Sequence, residues 1–160
     1  MNADRVRMIA VIGASESTAQ EEALAEAVGR ELAIRGVGLV CGGRSGVMEA
    51  ACRGAQEAGG LAIGILPGTS PGEGNPHLSV ALPTGLGHAR NALVVLGGEA
   101  VIAVGGGYGT LSEIALALKL GRKVIGLGSW HAERPDGREA EIVVAGSAVE
   151  AVELALGGHP

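Results

Sequence analysis

The sequence predicts a three-layer αβα domain, a Rossmann-like, doubly wound parallel sheet with helices on both faces, spanning residues 1–160 as one domain. Three observations predict it. Short apolar, β-branched runs alternate with helix-patterned segments along the whole chain. The runs are apolar throughout instead of alternating, so they are buried on both faces, as in a parallel sheet joined by right-handed crossovers. Two of them end directly in glycine clusters that open a helix, at Gly42 to Gly46 and at Gly105 to Gly109. Ligands of such sheets bind beyond the strand C-termini, where these clusters fall.

The elements follow in order. Met8 to Ile12 reads as the first strand, and Gln20 to Arg35 as a helix stopped by Gly36. Gly38 to Cys41 is the second strand, followed by a helix over Val47 to Ala58 that stops at Gly59. Leu61 to Leu66 is the third strand. Pro67 to His77 is rich in Gly and Pro and long for a strand-to-helix connection, which suits a flap over the site as well as a plain surface loop. His88 to Leu96 reads as a helix ended by Gly97, nearly apolar on every side, although an outer helix of a monomer shows a wet face. A homodimer through this helix, which contains Arg90 and Asn91, would cover it; burial by the C-terminal segment is the alternative. Strands over Ala100 to Val104, Val124 to Leu127 and Ile142 to Ala145 alternate with helices over Thr110 to Leu120, stopped by Gly121, and Ala148 to Leu156. Ser129 to Arg138, holding the only tryptophan, reads as a loop.

Composition narrows the function. At 160 residues, 47% hydrophobic, the chain can bury one core and is too short for two ordinary domains. Its 29 glycines have no collagen-like period and sit where apolar runs end. Net charge is -5, the twelve Lys and Arg are scattered, and phenylalanine is absent, so no nucleic-acid partner is expected and a DNA-processing role is disfavoured. The first apolar run is too short for a signal-peptide core and no segment approaches a membrane span, which points to the cytoplasm and no membrane partner. Cys41 and Cys52 lie in apolar surroundings and are expected as thiols. His77, His88, His131 and His159 share no metal-ligand spacing with each other or with the cysteines, so no metal is expected.

The glycine turns carry the chemistry. Cys41-Gly42-Gly43-Arg44-Ser45-Gly46-Val47-Met48 and Gly105-Gly106-Gly107-Tyr108-Gly109-Thr110 each join an apolar strand to a helix, where free backbone amides can hold an anion. Glycine turns also serve tight packing alone, but two on neighbouring strand ends can hold one phosphorylated ligand between them. The candidate ligand-binding set is Gly42, Gly43, Arg44, Gly46, Met48, Gly105, Gly106, Gly107, Tyr108, Gly109 and Thr110, with Gly13 and Ser15 after the first strand. NAD is disfavoured, because Gly13-Ala14-Ser15-Glu16-Ser17 lacks the dinucleotide fingerprint and no acidic residue ends the second strand. No P-loop motif occurs, and Lys119 and Lys123 are poorly placed for a Schiff base. Two charged residues are the catalytic candidates. Arg90 opposes the dipole at the start of its helix, which a ligand anion would explain, as would pairing with an acid such as Glu99. Glu113 stands three residues after Thr110, so Thr110-Leu111-Ser112-Glu113 could equally be a capping box.

Gly42-Gly43-Arg44-Ser45-Gly46-Val47-Met48, Gly64-Ile65-Leu66-Pro67, Ala89-Arg90-Asn91 and Gly105-Gly106-Gly107-Tyr108-Gly109-Thr110-Leu111-Ser112-Glu113 resemble the LOG-like proteins, also called lysine decarboxylase-like, over nearly the whole chain. That family includes cytokinin riboside 5'-monophosphate phosphoribohydrolases, dimers of Rossmann-like fold that cleave nucleoside 5'-monophosphates to free base and ribose 5-phosphate. The resemblance implies catalysis by Arg90 and Glu113, with no cofactor required. Asn91 stands where the hydrolases carry Lys, and Val104-Gly105-Gly106 replaces their Pro-Gly-Gly. These departures resemble a neighbouring branch that includes the molybdenum cofactor carrier proteins, which implies as alternative a non-catalytic carrier of a phosphorylated pterin. Both readings imply a small phosphorylated ligand.

Overall fold

A computed structural model describes residues 4–158; His159 and the first residues of the N-terminal stretch lie outside them. Seven strands form one sheet: β1 (Met8–Ile12), β2 (Gly38–Cys41), β3 (Ala62–Leu66), β4 (Val80–Pro83), β5 (Ala100–Val104), β6 (Lys123–Leu127) and β7 (Ile142–Ala145). The spatial order is β4-β3-β2-β1-β5-β6-β7, and every neighbouring pair is parallel. The helices are α1 (Ala19–Ile34), α2 (Val47–Glu57), α3 (Asn91–Gly97), α4 (Tyr108–Lys119) and α5 (Ala148–Ala155).

The all-apolar strands bury both faces. From β1, Ile9 and Val11 enter a core with α1, α2 and α5, while Ala10 and Ile12 enter a second core with Val94 and Val95 of α3 and Ile114 and Ala117 of α4. Each fully buried Val, Ile or Leu adds about 1.5–3 kcal/mol of transfer free energy, and both layers depend on it. Because α5 packs on α1, in the core on the other side of the sheet from α3, the C-terminal helix does not cover α3. Leu93 and Leu96 of α3 are each 44% exposed, and Leu82 of β4 and Leu86 are exposed as well.

Three features depart from the sequence reading. Strand β4 was missed: it is a four-residue, mostly exposed edge strand ending in Pro83, too short for a periodic signal and tolerant of proline only because it is an edge. The helix expected over His88 to Leu96 is a 3-10 turn, Gly87–Arg90, leading into α3. Pro67 to His77 is tied down by Asn75, whose backbone N–H donates to Gly43 O (2.9 Å) and whose side-chain amide donates to Arg44 O (3.0 Å). It braces the first glycine turn and lines no part of the central cleft.

Helices α1 and α2 meet backbone to backbone. A Cβ on Gly29 would lie 1.9 Å from Ala51 O, and one on Gly54 would lie 2.0 Å from Glu26 O, so only glycine permits this approach. The thiols of Cys41 and Cys52 are free and buried, their sulfurs 3.6 Å apart. No helix among the described residues is long and apolar enough to cross a membrane.

Candidate functional site

Helices α1 and α5 start on capping side chains. At α1, Thr18 and Glu21 exchange capping bonds: Glu21 N–H donates to Thr18 Oγ1 (3.1 Å) and Thr18 N–H donates to Glu21 Oε2 (3.3 Å). At α5, Ser147 Oγ accepts from Glu150 N–H (3.2 Å). By contrast, α2 and α4 start at Gly46 and Gly107, which supply no side-chain cap. These two starts flank β1, where the direction of winding reverses and a crevice opens. The two turns therefore sit on either side of β1 and not on adjacent strands.

The starts of α2 and α4 are not equivalent. Val47 N–H of α2 donates to Ala14 O (3.1 Å), Gly43 N–H donates to Cys41 Sγ (3.3 Å), and Ser45 Oγ donates to Ser15 O (3.2 Å). Bonds within the protein thus take up the Gly43 and Val47 amides of the first turn. In α4 the first helical bond runs from Leu111 N–H to Gly107 O (3.1 Å), which leaves the amides of Tyr108, Gly109 and Thr110 directed outward without a capping side chain. The start at Tyr108 also overturns the capping box at Thr110: that residue is already inside the helix and 2% exposed, and Glu113 lies more than a turn in, too far to return a bond.

A cleft of about 420 Å³ opens beside α4, within the range of small-molecule sites. It brings together Gly13, Ser15, Gly42, Met48, Arg90, Gly107, Gly109, Thr110 and Glu113 from the candidate set. The remaining candidates stand outside it, each for a local reason. Gly43 (φ +75°) packs on Leu66 and Gly64, and a Cβ on Gly46 (φ +68°) would lie 2.3 Å from Ala14 O. Arg44 lies beside Glu73 at 3.9 Å in a separate small pocket. Gly105 turns at φ +53° against the Glu21 carboxylate, Gly106 faces an adjoining open groove, and Tyr108 is 85% exposed with its ring near Trp130. Sequence reasoning missed Glu16 and His88, which line the cleft; position after β1 and the His-Ala-Arg-Asn string were the available signals.

Arg90 does not pair with Glu99, which instead binds Arg7 at 2.8 Å. Its guanidinium folds over Gly42, donating from one terminal nitrogen to the Asn91 side-chain oxygen and from the other to Gly42 O at 3.5 Å. Its Nε is buried with no partner among the described residues. Gly42 makes room for this: a Cβ there would lie 2.8 Å from Arg90 Nη2 and 2.9 Å from Met48 Sδ. Burial lowers the Arg90 pKa from its ordinary value, partly offset by the attraction of Glu113. Burial likewise pushes the Glu113 carboxyl up to about 7, with Arg90 pulling it back down. Among the described residues, no ion pair within 4.0 Å joins the two. The cleft thus combines free helix amides, an arginine with an unsatisfied donor, and a carboxyl able to exchange a proton near neutral pH. Among the described residues no cluster of three or more His, Cys, Asp or Glu is arranged to hold a metal.

Known proteins share this framework. The molybdenum cofactor binding protein from the phototrophic bacterium Rippkaea orientalis superposes with TM-score 0.85 at 36% identity, covering 95% of this chain and 96% of that one. The molybdenum cofactor carrier protein MCP from Chlamydomonas reinhardtii superposes with TM-score 0.81 at 35% identity, over 95% and 99% of the two chains. By sequence, an Archaeoglobus fulgidus protein of no stated function is 44% identical over 123 residues, 77% of this chain and 81% of its own. An Oryza sativa subsp. japonica protein, "Probable cytokinin riboside 5'-monophosphate phosphoribohydrolase LOGL5", is 33% identical over 135 residues, which span 78% of this chain and 55% of the rice protein. Residues 6–153 match the SLOG cluster4 family, and the chain belongs to that LOG-like family.

Proposed function

We propose that the cleft binds a small phosphorylated, nucleotide-like ligand and hydrolyses nucleoside 5'-monophosphates to free base and ribose 5-phosphate. One observation carries this reading: Arg90 and Glu113 face one cleft together with the uncapped amides of α4, and Glu113 titrates near 7. The phosphate sits on the amides of Tyr108 to Thr110, where the helix dipole favours negative charge. Glycosidic cleavage develops oxocarbenium charge on the ribose, and an ionised Glu113 stabilises that charge or orients the attacking water. Arg90 positions the substrate or assists departure of the base. The likeness to the rice phosphoribohydrolase supports this chemistry, and that protein's substrate is carried to this chain only as a proposal.

A second reading, a non-catalytic carrier of a phosphorylated pterin such as the molybdenum cofactor, is favoured by Asn91, whose side chain engages Arg90. The residues fit such a group as far as its phosphate is concerned: the same amides hold it, and Arg90 supplies a donor to its polar ring edge. The similarity to the Rippkaea and Chlamydomonas proteins supports this alternative. Incubation with a panel of nucleoside 5'-monophosphates, AMP included, tests the first reading by chromatography. Release of base and ribose 5-phosphate that is lost in Glu113→Gln is the expected result. No release from any of them, with thermal protection by a phosphorylated ligand retained, would leave the carrier reading. We further propose that the chain works in the cytoplasm as a single-domain homodimer joined through α3.

A further inference from the structure

The loop after β6 plays no part in the site described above, yet it reaches the second glycine turn twice. Ser129 Oγ donates to Gly105 O at 2.6 Å, and the Trp130 indole Nε1–H donates to Gly107 O at 3.1 Å. In a trans peptide the carbonyl and the following N–H point in opposite directions across one rigid plane. Holding Gly105 O and Gly107 O therefore aims the N–H groups of Gly106 and Tyr108 away from the loop. Neither Ser129 nor Trp130 lines the cleft or the groove beside it, whereas Gly107 lines both and Gly106 lines the groove. The turn needs an external hold because it is intrinsically loose: Gly105 and Gly106 have φ of +53° and +113°, and three consecutive glycines have no side chains to fix their peptide planes. Trp130 is itself steadied, its ring 6.0 Å from that of Tyr108, the first residue of α4. The chain's one tyrosine and one tryptophan both stand at this turn, and Trp130 also packs against the edge of the second core.

We propose that Ser129 and Trp130 are positioning residues that pre-orient the Gly105–Tyr108 peptide planes, so that their amides meet the phosphate of the ligand without reorganisation. The inference rests on the phosphate-binding reading of this turn. It adds to that reading that affinity for the phosphate is set from behind, by residues that never touch the ligand. Preorganised donors bind better because the cost of ordering them is met on folding.

Calorimetric titration with AMP and with adenosine tests it, all in the Glu113→Gln background so that AMP is bound without turnover, using the otherwise wild-type chain, Ser129→Ala, Ser129→Thr and Trp130→Phe. The phenylalanine keeps a ring against Tyr108 and removes the N–H, and the threonine restores the hydroxyl. The expected result is that AMP binding weakens about fivefold in Ser129→Ala and in Trp130→Phe, the worth of one net hydrogen bond. Adenosine binding should stay at its Glu113→Gln value in both, and Ser129→Thr should bind AMP like Glu113→Gln alone. Equal loss for AMP and adenosine would reveal a merely structural role and overturn the proposal, as would unchanged AMP binding in both variants. If Glu113→Gln alone binds AMP no more tightly than adenosine, the phosphate reading of the turn fails and the proposal falls with it.

Discussion

Gly42 is the residue at which packing and function separate. The nearest atoms a methyl group there would meet are Arg90 Nη2, Met48 Sδ and Arg90 Cζ, the far ends of long side chains, and its φ does not lie in the left-handed region. Gly42→Ala is therefore expected to keep its melting temperature within a few degrees while displacing Arg90 and weakening a phosphorylated ligand about tenfold, the cost of one charge-assisted hydrogen bond. Thermal melting and ligand titration on one sample check both halves. Glu113 supplies the pH dependence. Its carboxyl is raised from 4.5 to about 7 by burial, so the folded chain holds a proton that the unfolded chain has lost. Stability accordingly falls as pH rises from about 4.5 to about 7 and stays lowered above that. Glu113→Gln removes this loss. It should melt above wild type at pH 8 and with it at pH 4, and equal melting at both pH values would contradict a buried, neutral carboxyl.

Among the elements, the α1–α2 pair is the most demanding. Its contact is backbone on backbone at Gly29 and Gly54, where the obstacles are Ala51 O and Glu26 O, which cannot swing aside as a side chain does. Alanine is the better helix former by about 1 kcal/mol, yet overpacking costs typically 1–3 kcal/mol, and more where backbone must move. Gly29→Ala should thus lower the melting temperature by roughly 5 °C in a thermal scan, and a rise would show that the helices can separate freely. The element also shows how far periodicity carries: the glycines are visible in the sequence, but nothing there says that they face a partner backbone. Helix α4 gives the converse case. Thr110 to Glu113 satisfied the capping-box spacing, and the helix nevertheless starts two residues earlier because Gly107 can take the cap position on the end of β5. The true box, Thr18 with Glu21, has the same spacing, so spacing alone does not separate the two.

For the whole molecule, the outer face of α3 is the open question of packing, because Leu93 and Leu96 remain exposed and α5 lies on the other side of the sheet. A homodimer buries them. Light scattering of the purified chain is expected to give twice the chain mass, and Leu93→Glu with Leu96→Glu to give a monomer of near-native melting temperature. A wild-type monomer would sink the dimer reading.

The amino-acid sequence by itself determined the layered parallel fold, because uninterrupted apolar strands joined by helix-patterned segments have few other ways to bury both faces. It also marked the strand C-termini as the candidate site, with glycine clusters at Gly42 to Gly46 and Gly105 to Gly109, since a glycine cluster between a strand and a helix is a local property. Tertiary structure alone decided that the loop after β1 takes up Val47 N–H and Ser45 Oγ of the first turn, and that α4 starts at Gly107 with no capping side chain. It decided too that Arg90 folds over Gly42, that Glu113 lines a cleft instead of capping a helix, and that Ser129 and Trp130 hold the glycine turn from behind. Each of these is a contact between residues far apart in the chain, and local patterns carry no record of which distant groups the fold will bring together.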